Sequence, residues 1–379
     1  MEWEDKVGMH REGAAVVRTL VLLGALFGAG ARAEVTRAEF LVPSEEGVEV
    51  SVREVKDTGM QVANLPPLIL LHGARVPGRA SFDLPVEGGS IAAELARAGH
   101  AVYVMDARGY GGSTRPLAMS TPARGRPLVN SHEVVQDVHA VVGWVKARTG
   151  QRRVGLFGWA TGGHWAGMYA SLHPDNVSHL VMLNALYAGS AEHKMLGKGT
   201  DFEDPKRPGR FNAEGMGAYR WNTGASLMAV WDRQLPAEEA ERAKWRDPEV
   251  AASFQREAVT SDPLGPSRTP FAFRAPSGAL EDSFYLATGR QLWDGAAITA
   301  KVLLLRAEND FWSRPEDVTR LQEHLNHAAS VKAVVLPGAT HFVHLERPEH
   351  GRRQLMDELL RFTGARVTPA PKPPKPATP

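Results

Sequence analysis

The sequence predicts an α/β protein: a mostly parallel, eight-stranded-type sheet with helices on both faces and a cap inserted at one edge. Short apolar runs alternate with helical patterns, which is typical of a parallel sheet covered on both faces. One long irregular segment interrupts this alternation, which then resumes. The 379 residues, 43% of them hydrophobic, are enough for one large core with such an insertion.

Five strands and three helices are predicted in the first half of the chain. Residues 47–55 alternate valine with polar residues, as a half-buried strand does, whereas residues 68–71 are continuously apolar, as in a central parallel strand. Ser90 is a cap for a helix over 91–98, and valines over 134–145 form one face of a second helix. The other predicted elements are strands over 101–105, 154–157 and 180–183 and a helix over 163–172.

The alternation stops between about residues 187 and 297, a stretch of glycine-, proline- and tryptophan-containing segments. It resumes with strands over 301–305 and 331–336 and helices over 315–326 and 348–362. We therefore predict a core of residues 34–186 and 298–365, with residues 187–297 as a cap or lid. Such an insertion is expected at the carboxyl edge of the sheet, where ligands bind in these folds.

Both ends of the chain are predicted to lie outside this core. Residues 1–33 fit a signal peptide, because Arg11 and Arg18 precede an apolar run over 20–26 and residues 31–33 (ARA) match a cleavage pattern. An N-terminal membrane anchor is the alternative, but the run is shorter than the ~20 residues of a comfortable span. Residues 366–379 are predicted to be a disordered, proline-rich tail. We expect export to the periplasm or the medium.

Composition excludes several classes of function. The net charge is +1, from 44 basic and 43 acidic residues, so neither nucleic acid nor an anionic membrane is an expected partner. Cysteine is absent, which excludes disulfides, a thiolate nucleophile and cysteine-ligated zinc. No metal or organic cofactor is implied. The expected partner is a small-molecule substrate, and the oligomeric state stays open.

Four motifs fall at the ends of predicted strands. In chain order they are residues 72–74 (HGA), residues 106–113 (DARGYGGS), residues 158–163 (GWATGG), and the pair Asp310 and His341. In this order they resemble the α/β-hydrolase family, over about residues 68–362. The resemblance implies that family's fold and a sharp strand-to-helix turn at the third motif, with nucleophile, acid and histidine following one another along the chain.

The resemblance also implies roles for individual residues. Ala160 occupies the nucleophile position, where the family carries serine, while Asp310 is the acid and His341 the base. The backbone N–H groups of Ala74 and Thr161 would form the oxyanion hole, and these donors do not depend on the side chain at position 160. Two members of the triad are therefore present, and the first is replaced by a methyl group.

Structural interpretations compete with these roles. Asp310 could be a loop acid and His341 a satisfied core histidine, but their joint occurrence at the family positions favours catalysis. Glu308 and Asp317 are alternatives for the acid. Structural roles are predicted for the other polar residues of these regions: Asp106, Arg108, Ser113, His72, His164 and His344.

Three interpretations of Ala160 stay open. The alanine is native and the protein is not a serine hydrolase, or it replaces a natural serine so as to trap a substrate, or another group such as the Thr161 hydroxyl attacks. The neighbour of the elbow residue normally points away from the cleft, which argues against Thr161. Because the sequence keeps an export-type leader and a tail, we expect the alanine to be native.

Two functions follow as hypotheses. The first is an exported enzyme that acts on a small apolar ester, amide or related carbonyl compound, with His341 as general base beside the oxyanion hole. The second is a binding protein that keeps the pocket and has lost the chemistry. Turnover that depends on His341 would separate the two.

Overall fold

A computed structural model describes residues 19–20, 34–60 and 64–366. Most of the predicted signal peptide over 1–33, and the predicted tail apart from residue 366, lie outside the described residues, so both stay predictions. The strands are β1 Thr19–Leu20, β2 Val35–Pro43, β3 Glu49–Asp57, β4 Leu68–Leu71, β5 Val102–Met105, β6 Val154–Trp159, β7 Val177–Leu183, β8 Tyr219–Thr223, β9 Ala272–Pro276, β10 Lys301–Ala307 and β11 Ser330–Leu336. The α-helices are α1 Gly78–Phe82, α2 Ile91–Arg97, α3 Ser131–Thr149, α4 Thr161–Leu172, α5 Ala213–Met216, α6 Gly224–Asp232, α7 Glu239–Trp245, α8 Pro248–Thr260, α9 Gly278–Ala287, α10 Pro315–His324 and α11 Arg352–Thr363.

The main sheet of the described residues has the order β1-β2-β3-β5-β4-β6-β7-β10-β11. Strands β1 to β3 pair antiparallel and β3 joins β5 antiparallel, whereas every pairing from β5 to β11 is parallel. Alternate residues of the fully buried β4 face opposite ways: Ile69 and Leu71 pack in the cluster that includes α3, and Leu68 and Leu70 in the cluster that includes α2 and α11. The predicted fold class, a mostly parallel sheet with helices on both faces, is confirmed.

Three strand pairings were not predicted from the sequence, and the first of them joins the two-residue strand β1 to β2. Strand β2 runs beside β3, but of its nine residues only Phe40 and Val42 are buried, so its apolar pattern is weak. Strands β8 and β9 form an antiparallel pair inside the irregular segment. They lie far apart along the chain, and local sequence patterns do not reveal such a pairing.

Several element ends differ from their predicted positions. The last helix begins at Arg352, because Pro348–His350 forms a separate 3₁₀ turn and Gly351 has a φ of 95°, in the left-handed region that interrupts a helix. Helix α10 ends at His324, two residues before its predicted end. Helix α4 begins at Thr161, directly after the sharp turn, rather than at Gly163.

The segment between β7 and β10 packs beside the carboxyl edge of the sheet. Its Leu227 and Phe254 belong to the same apolar cluster as Trp159 and Phe342. Trp159 is the last residue of β6, and Phe342 lies in the loop after β11. Trp293, near the end of the segment, belongs to the cluster on the other face of the sheet. Within the described residues, no helix has the length and apolar character that crossing a membrane requires.

Candidate active site

The turn between β6 and α4 holds Ala160 in an unusual conformation. Its φ is 53° and its ψ is −118°, a region that residues other than glycine rarely adopt. The flanking glycines leave room for this turn. A Cβ on Gly158 would lie 2.2 Å from the carbonyl oxygen of Gly162, and a Cβ on Gly162 would lie 2.0 Å from the carbonyl oxygen of Leu71. The glycines of the third motif are therefore required by the backbone.

A cavity of about 260 Å³ opens beside this turn. Its lining includes Ala160, the loop after β4 and residues of the 187–297 segment. Most lining side chains are apolar, as is usual for small-molecule sites; they include Trp159, Leu227, Phe254, Phe311, Trp312 and Phe342. His341 lines the same cavity.

Asp310 and His341 meet beside this cavity. Nδ1 of His341 lies 2.6 Å from Oδ1 of Asp310, and both side chains are almost fully buried. The carboxylate also accepts hydrogen bonds from the backbone N–H groups of Trp312, at 3.1 Å, and Ser313, at 2.6 Å. Because Asp310 occupies Nδ1, the nitrogen available to a substrate is Nε2.

The histidine loop is fixed to the elbow strand. The carbonyl oxygen of His341 accepts hydrogen bonds from Nε1 of Trp159, at 3.0 Å, and from Nδ2 of Asn184, at 3.2 Å. Asn184 follows β7, and its side-chain oxygen accepts from the N–H of Ala307 at the end of β10. The carboxyl ends of three strands are therefore tied together beneath the histidine.

The expected oxyanion donors lie on the same cavity. Ala74 and Thr161 both line it, and in the described part of the chain neither backbone N–H donates a hydrogen bond. The loop that carries Ala74 approaches the elbow closely, since a Cβ on Gly73 would lie 3.5 Å from the Cβ of Ala160. Two backbone donors are therefore free for a ligand oxygen.

The hydroxyl of Thr161 is a poor candidate for a nucleophile. Its Oγ1 is buried and, among the described residues, has no hydrogen-bond partner. A nucleophile must reach both the substrate and a base, and no basic group of the residues that the structure describes lies within hydrogen-bond distance of this oxygen. The geometry therefore disfavours the third interpretation of Ala160.

The alternative acids lie elsewhere. Asp317 accepts hydrogen bonds from the N–H groups of Tyr187 and Gly189 and pairs with Arg314 at 2.8 Å. Glu308 is exposed and accepts from the N–H of Gly338. Of the three acids considered from the sequence, Asp310 is the one whose carboxylate contacts His341.

Three other histidines, His72, His164 and His344, are buried and have structural roles. His72 lies between the carbonyl oxygen of Gly73 and the N–H of Ala107, and burial lowers its pKa. His164 accepts from Nε1 of Trp293 and contacts the Ser131 hydroxyl, and burial lowers its pKa to about 3. The pKa of His344, which packs against Trp159, is also lowered by burial, well below its ordinary value. All three are neutral near pH 7.

The segment over 106–113 has a structural role next to the site. Asp106 accepts from the N–H groups of Gly78 and Gly112, and Ser113 donates to the Asp106 carbonyl oxygen. Arg108 forms a buried ion pair with Asp137, at 2.7 Å. These contacts join the segment after β5 to helices α1 and α3. None of the residues that make them lines the cavity.

Sequence reasoning missed three arginines on the cavity: Arg75, Arg220 and Arg233. Arg75 directly follows the first motif, and this position in the sequence could have identified it as a residue of the cavity. Arg220 and Arg233 lie in the irregular segment, where no periodic pattern assigns a side chain to the cavity.

A buried carboxyl lies beneath the histidine loop. Oε1 of Glu346 accepts hydrogen bonds from Nε1 of Trp231, at 3.0 Å, and from the Thr340 hydroxyl, while Oε2 is buried and, among the described residues, without a partner. Burial raises the pKa of Glu346 from 4.5 to about 7, against the opposing effect of these hydrogen bonds. The side chain connects the histidine loop to helix α6.

We predict that Glu346 makes the fold less stable as the pH rises. Because the folded state keeps this proton up to about pH 7 while the unfolded chain loses it near 4.5, the folded state binds more protons between these values. Between about pH 5 and about pH 8, the free energy of unfolding of the wild type should therefore fall more than that of Glu346→Gln. The expected difference is on the order of 1–3 kcal/mol. Urea denaturation at both pH values measures this, with the exposed Glu308→Gln as control. Parallel pH profiles for wild type and Glu346→Gln would contradict the prediction.

The fold and the site together define a class of protein. A family model described as alpha/beta hydrolase fold matches residues 66–348, which is more than half of the chain. The chain belongs to the α/β hydrolase fold family. No curated protein matches the sequence.

Solved structures with the same fold share little sequence with this chain. An enol-lactonase from Burkholderia xenovorans LB400 is 18% identical, with a TM-score of 0.54 over 84% of this chain and 99% of its own. E-2-(acetamidomethylene)succinate hydrolase is 16% identical, with a TM-score of 0.53 over 88% and 100%. A thermophilic esterase from Thermogutta terrifontis is 17% identical, with a TM-score of 0.53 over 86% and 99%. At these identities the likeness concerns the fold alone.

Proposed function

We propose that this protein performs hydrolase-type chemistry on a small ester, amide or related carbonyl compound, with His341 as general base. The observation that carries the proposal is the 2.6 Å contact between His341 and Asp310, on a cavity that two free backbone N–H groups also line. Asp310 orients the imidazole and stabilises its charged form, while Ala74 and Thr161 supply the oxyanion donors.

Water replaces the missing serine in this mechanism. Nε2 of His341 takes a proton from a water molecule, whose oxygen attacks the carbonyl carbon of the substrate. The carbonyl oxygen becomes an oxyanion and accepts hydrogen bonds from the N–H groups of Ala74 and Thr161. The tetrahedral intermediate then collapses, and the imidazolium returns the proton to the leaving group. No acyl-enzyme forms at any step, because the methyl group of Ala160 cannot attack.

The methyl group of Ala160 favours a second candidate, a ligand-binding protein without turnover. Serine hydrolases that lose a member of the triad keep only about 10³–10⁴-fold catalysis over water. A protein selected for rapid turnover would be expected to keep the serine, whereas a binding protein needs only the cavity. An altered copy of a serine esterase would carry the same residue.

We predict slow hydrolysis of p-nitrophenyl acetate by the wild type, and a loss of at least about 10-fold in kcat/KM for His341→Ala. The control is His327→Ala, since His327 is exposed and does not line the cavity. Circular dichroism checks that both variants fold. Equal rates for the wild type and His341→Ala, together with ligand binding, would favour the binding protein instead.

Two further parts of the proposal concern the rest of the chain. Residues 187–297 serve as the cap over the cavity; their Leu227, Arg220 and Phe254 among the lining residues support this assignment. The chain is exported, with cleavage after Ala33. Mass spectrometry of the protein from its native host is expected to find Glu34 at the mature N-terminus, and a mature chain that keeps residues 20–29 would exclude this cleavage.

A further inference from the structure

The cavity beside His341 combines an apolar lining with an excess of positive charge. Three arginines line it, Arg75, Arg220 and Arg233, while none of the described lining residues is an aspartate or glutamate. Asp310, the acid that contacts His341, is not among the lining residues, and its carboxylate is occupied by His341 and by the N–H groups of Trp312 and Ser313. The positive charge of the cavity is therefore not neutralised by a carboxylate on its own wall.

Arg220 is the most exceptional of the three. It lies on β8, and its Nε and Nη2 atoms are buried without a hydrogen-bond partner in the described part of the chain. Burial, and to a lesser degree the positive charge of Arg75, lowers the pKa of its guanidinium to about 10. Buried donors without partners are costly, so such a group is expected to have a partner that the protein itself does not supply.

Arg75 has hydrogen-bond partners, but they are neutral. Its Nε and Nη2 each lie 3.1 Å from Oδ1 of Asn222, and Nη2 lies 3.1 Å from the Ser226 hydroxyl. These contacts fix the guanidinium in place without cancelling its charge. Burial lowers the pKa of Arg75, and the positive charge of Arg233 lowers it further. Arg233, directly after α6, is the exposed member of the three.

Elsewhere among the described residues, buried arginines have carboxylate partners, whereas the partly buried Arg115 donates to the carbonyl oxygen of Ser261. Arg108 pairs with Asp137 at 2.7 Å, Arg274 with Asp262 at 2.7 Å, and Arg53 with Asp83 at 2.9 Å. Such pairing is the general rule for buried charge, because an uncompensated charge in a low-dielectric site is strongly destabilising. Arg75 and Arg220 depart from this rule in one place, on the wall of the candidate active site, and the exposed Arg233 adds a third positive charge there.

We propose that Arg75, Arg220 and Arg233 form an anion subsite, and that the ligand of this cavity carries a carboxylate on a small apolar body. The guanidinium group matches a carboxylate in a planar, two-point arrangement. A carboxylate fits this cavity better than a phosphate dianion, whose larger desolvation cost an apolar wall does not offset. The claim that the substrate carries a carboxylate rests on the proposed function. The claim that the cavity binds a carboxylate does not, because binding requires no turnover.

A pair of ligands that differ in charge tests the subsite directly. Phenylacetate and phenylacetamide have the same shape and about ten non-hydrogen atoms, so the cavity should hold either one. Isothermal titration calorimetry on the full chain is expected to give at least ~10-fold tighter binding of phenylacetate. In Arg220→Gln this preference should fall to within about 2-fold. Arg153→Gln, which removes an exposed arginine that does not line the cavity, should keep it.

Arg233→Gln is a second variant, because removing an exposed charge leaves the fold intact; its preference for phenylacetate should fall at least ~3-fold. Equal binding of acid and amide by the wild type, failure of both ligands to bind, or an unchanged preference in both cavity variants would overturn the proposal. Inorganic phosphate that competes as strongly as phenylacetate would overturn the choice of a carboxylate. If phenylacetate is preferred but no ester is hydrolysed, the proposed catalysis is wrong and the anion subsite stands.

Discussion

The Ala160→Ser variant is expected to hydrolyse small activated esters at least ~10²-fold faster than the wild type, and to become labelled at residue 160 by a serine-directed fluorophosphonate. The other parts of a serine hydrolase are in place around this residue. His341 and Asp310 are in contact, both line or adjoin the same cavity as Ala160, and the oxyanion donors are free. The variant adds one oxygen where the family carries that group.

The backbone at position 160 should accept this change. Ala160 already has a φ of 53°, so serine meets no backbone strain that alanine does not meet. The neighbouring glycines also stay in place, and they set the shape of the turn. The hydroxyl would therefore lie at the tip of the elbow, on the cavity that His341 lines, where the imidazole can take its proton.

Two controls separate the added hydroxyl from other effects. Ala160→Gly alters the same residue and relieves its strain without adding a nucleophile, so it should stay unlabelled by the fluorophosphonate. The double variant Ala160→Ser/His341→Ala carries the hydroxyl without its base, and should lose most of the gain. A correctly folded Ala160→Ser variant with a gain well below ~10²-fold would mean that the site has diverged from serine chemistry, which favours the binding protein.

The strained elbow is itself informative about function. A residue other than glycine at positive φ costs on the order of 1–3 kcal/mol, and alanine gains no nucleophile in return. The same turn, however, places Thr161, the first residue of α4, on the cavity that Ala74 also lines, and in the described part of the chain its N–H donates no hydrogen bond. The conformation therefore still provides donors for a ligand oxygen. This supports a site that binds carbonyl or carboxylate oxygens, whether or not turnover follows.

The elbow, the Asp310–His341 contact and the fold class could be predicted from the sequence because each follows from a motif or an alternation that the chain displays directly. Gly158 and Gly162 are required by close backbone approaches of 2.2 and 2.0 Å, so the third motif specifies a turn whatever surrounds it. Asp310 and His341 follow neighbouring parallel strands, β10 and β11, whose carboxyl ends meet at one edge.

The charge of the cavity could not be predicted in the same way. Whether Arg220 is buried depends on the pairing of β8 with β9, two strands separated by a long stretch of the insertion. Whether Arg75 lacks a carboxylate partner depends on which side chains of α6 and β8 approach it. Local patterns do not encode such contacts, and a small apolar ester, amide or related carbonyl compound was therefore expected from the sequence.

In the Ala160→Ser background, Asp310→Asn is expected to lower kcat by about 10³–10⁴-fold while the fold stays intact. The carboxylate accepts from Nδ1 of His341 and from Trp312 with one oxygen, and from Ser313 with the other. In place of the two carboxylate oxygens, an asparagine has one oxygen, which accepts, and one NH₂ group, which donates. If its oxygen stays near His341, its amide faces the N–H of Ser313, and two donors oppose each other.

The opposite orientation of the substituted side chain satisfies Ser313 but directs its amide group at Nδ1 of His341. That nitrogen must then accept, which moves the ring proton to Nε2 and leaves the base unable to take a proton from serine. Ester hydrolysis and fluorophosphonate labelling measure the loss, and thermal unfolding checks the fold. Glu308→Gln in the same background is the matched control, since Glu308 is exposed and contacts Gly338 rather than His341. Retention of more than about a tenth of the activity by Asp310→Asn, or an equal loss in Glu308→Gln, would show that Asp310 is not the acid that orients the histidine.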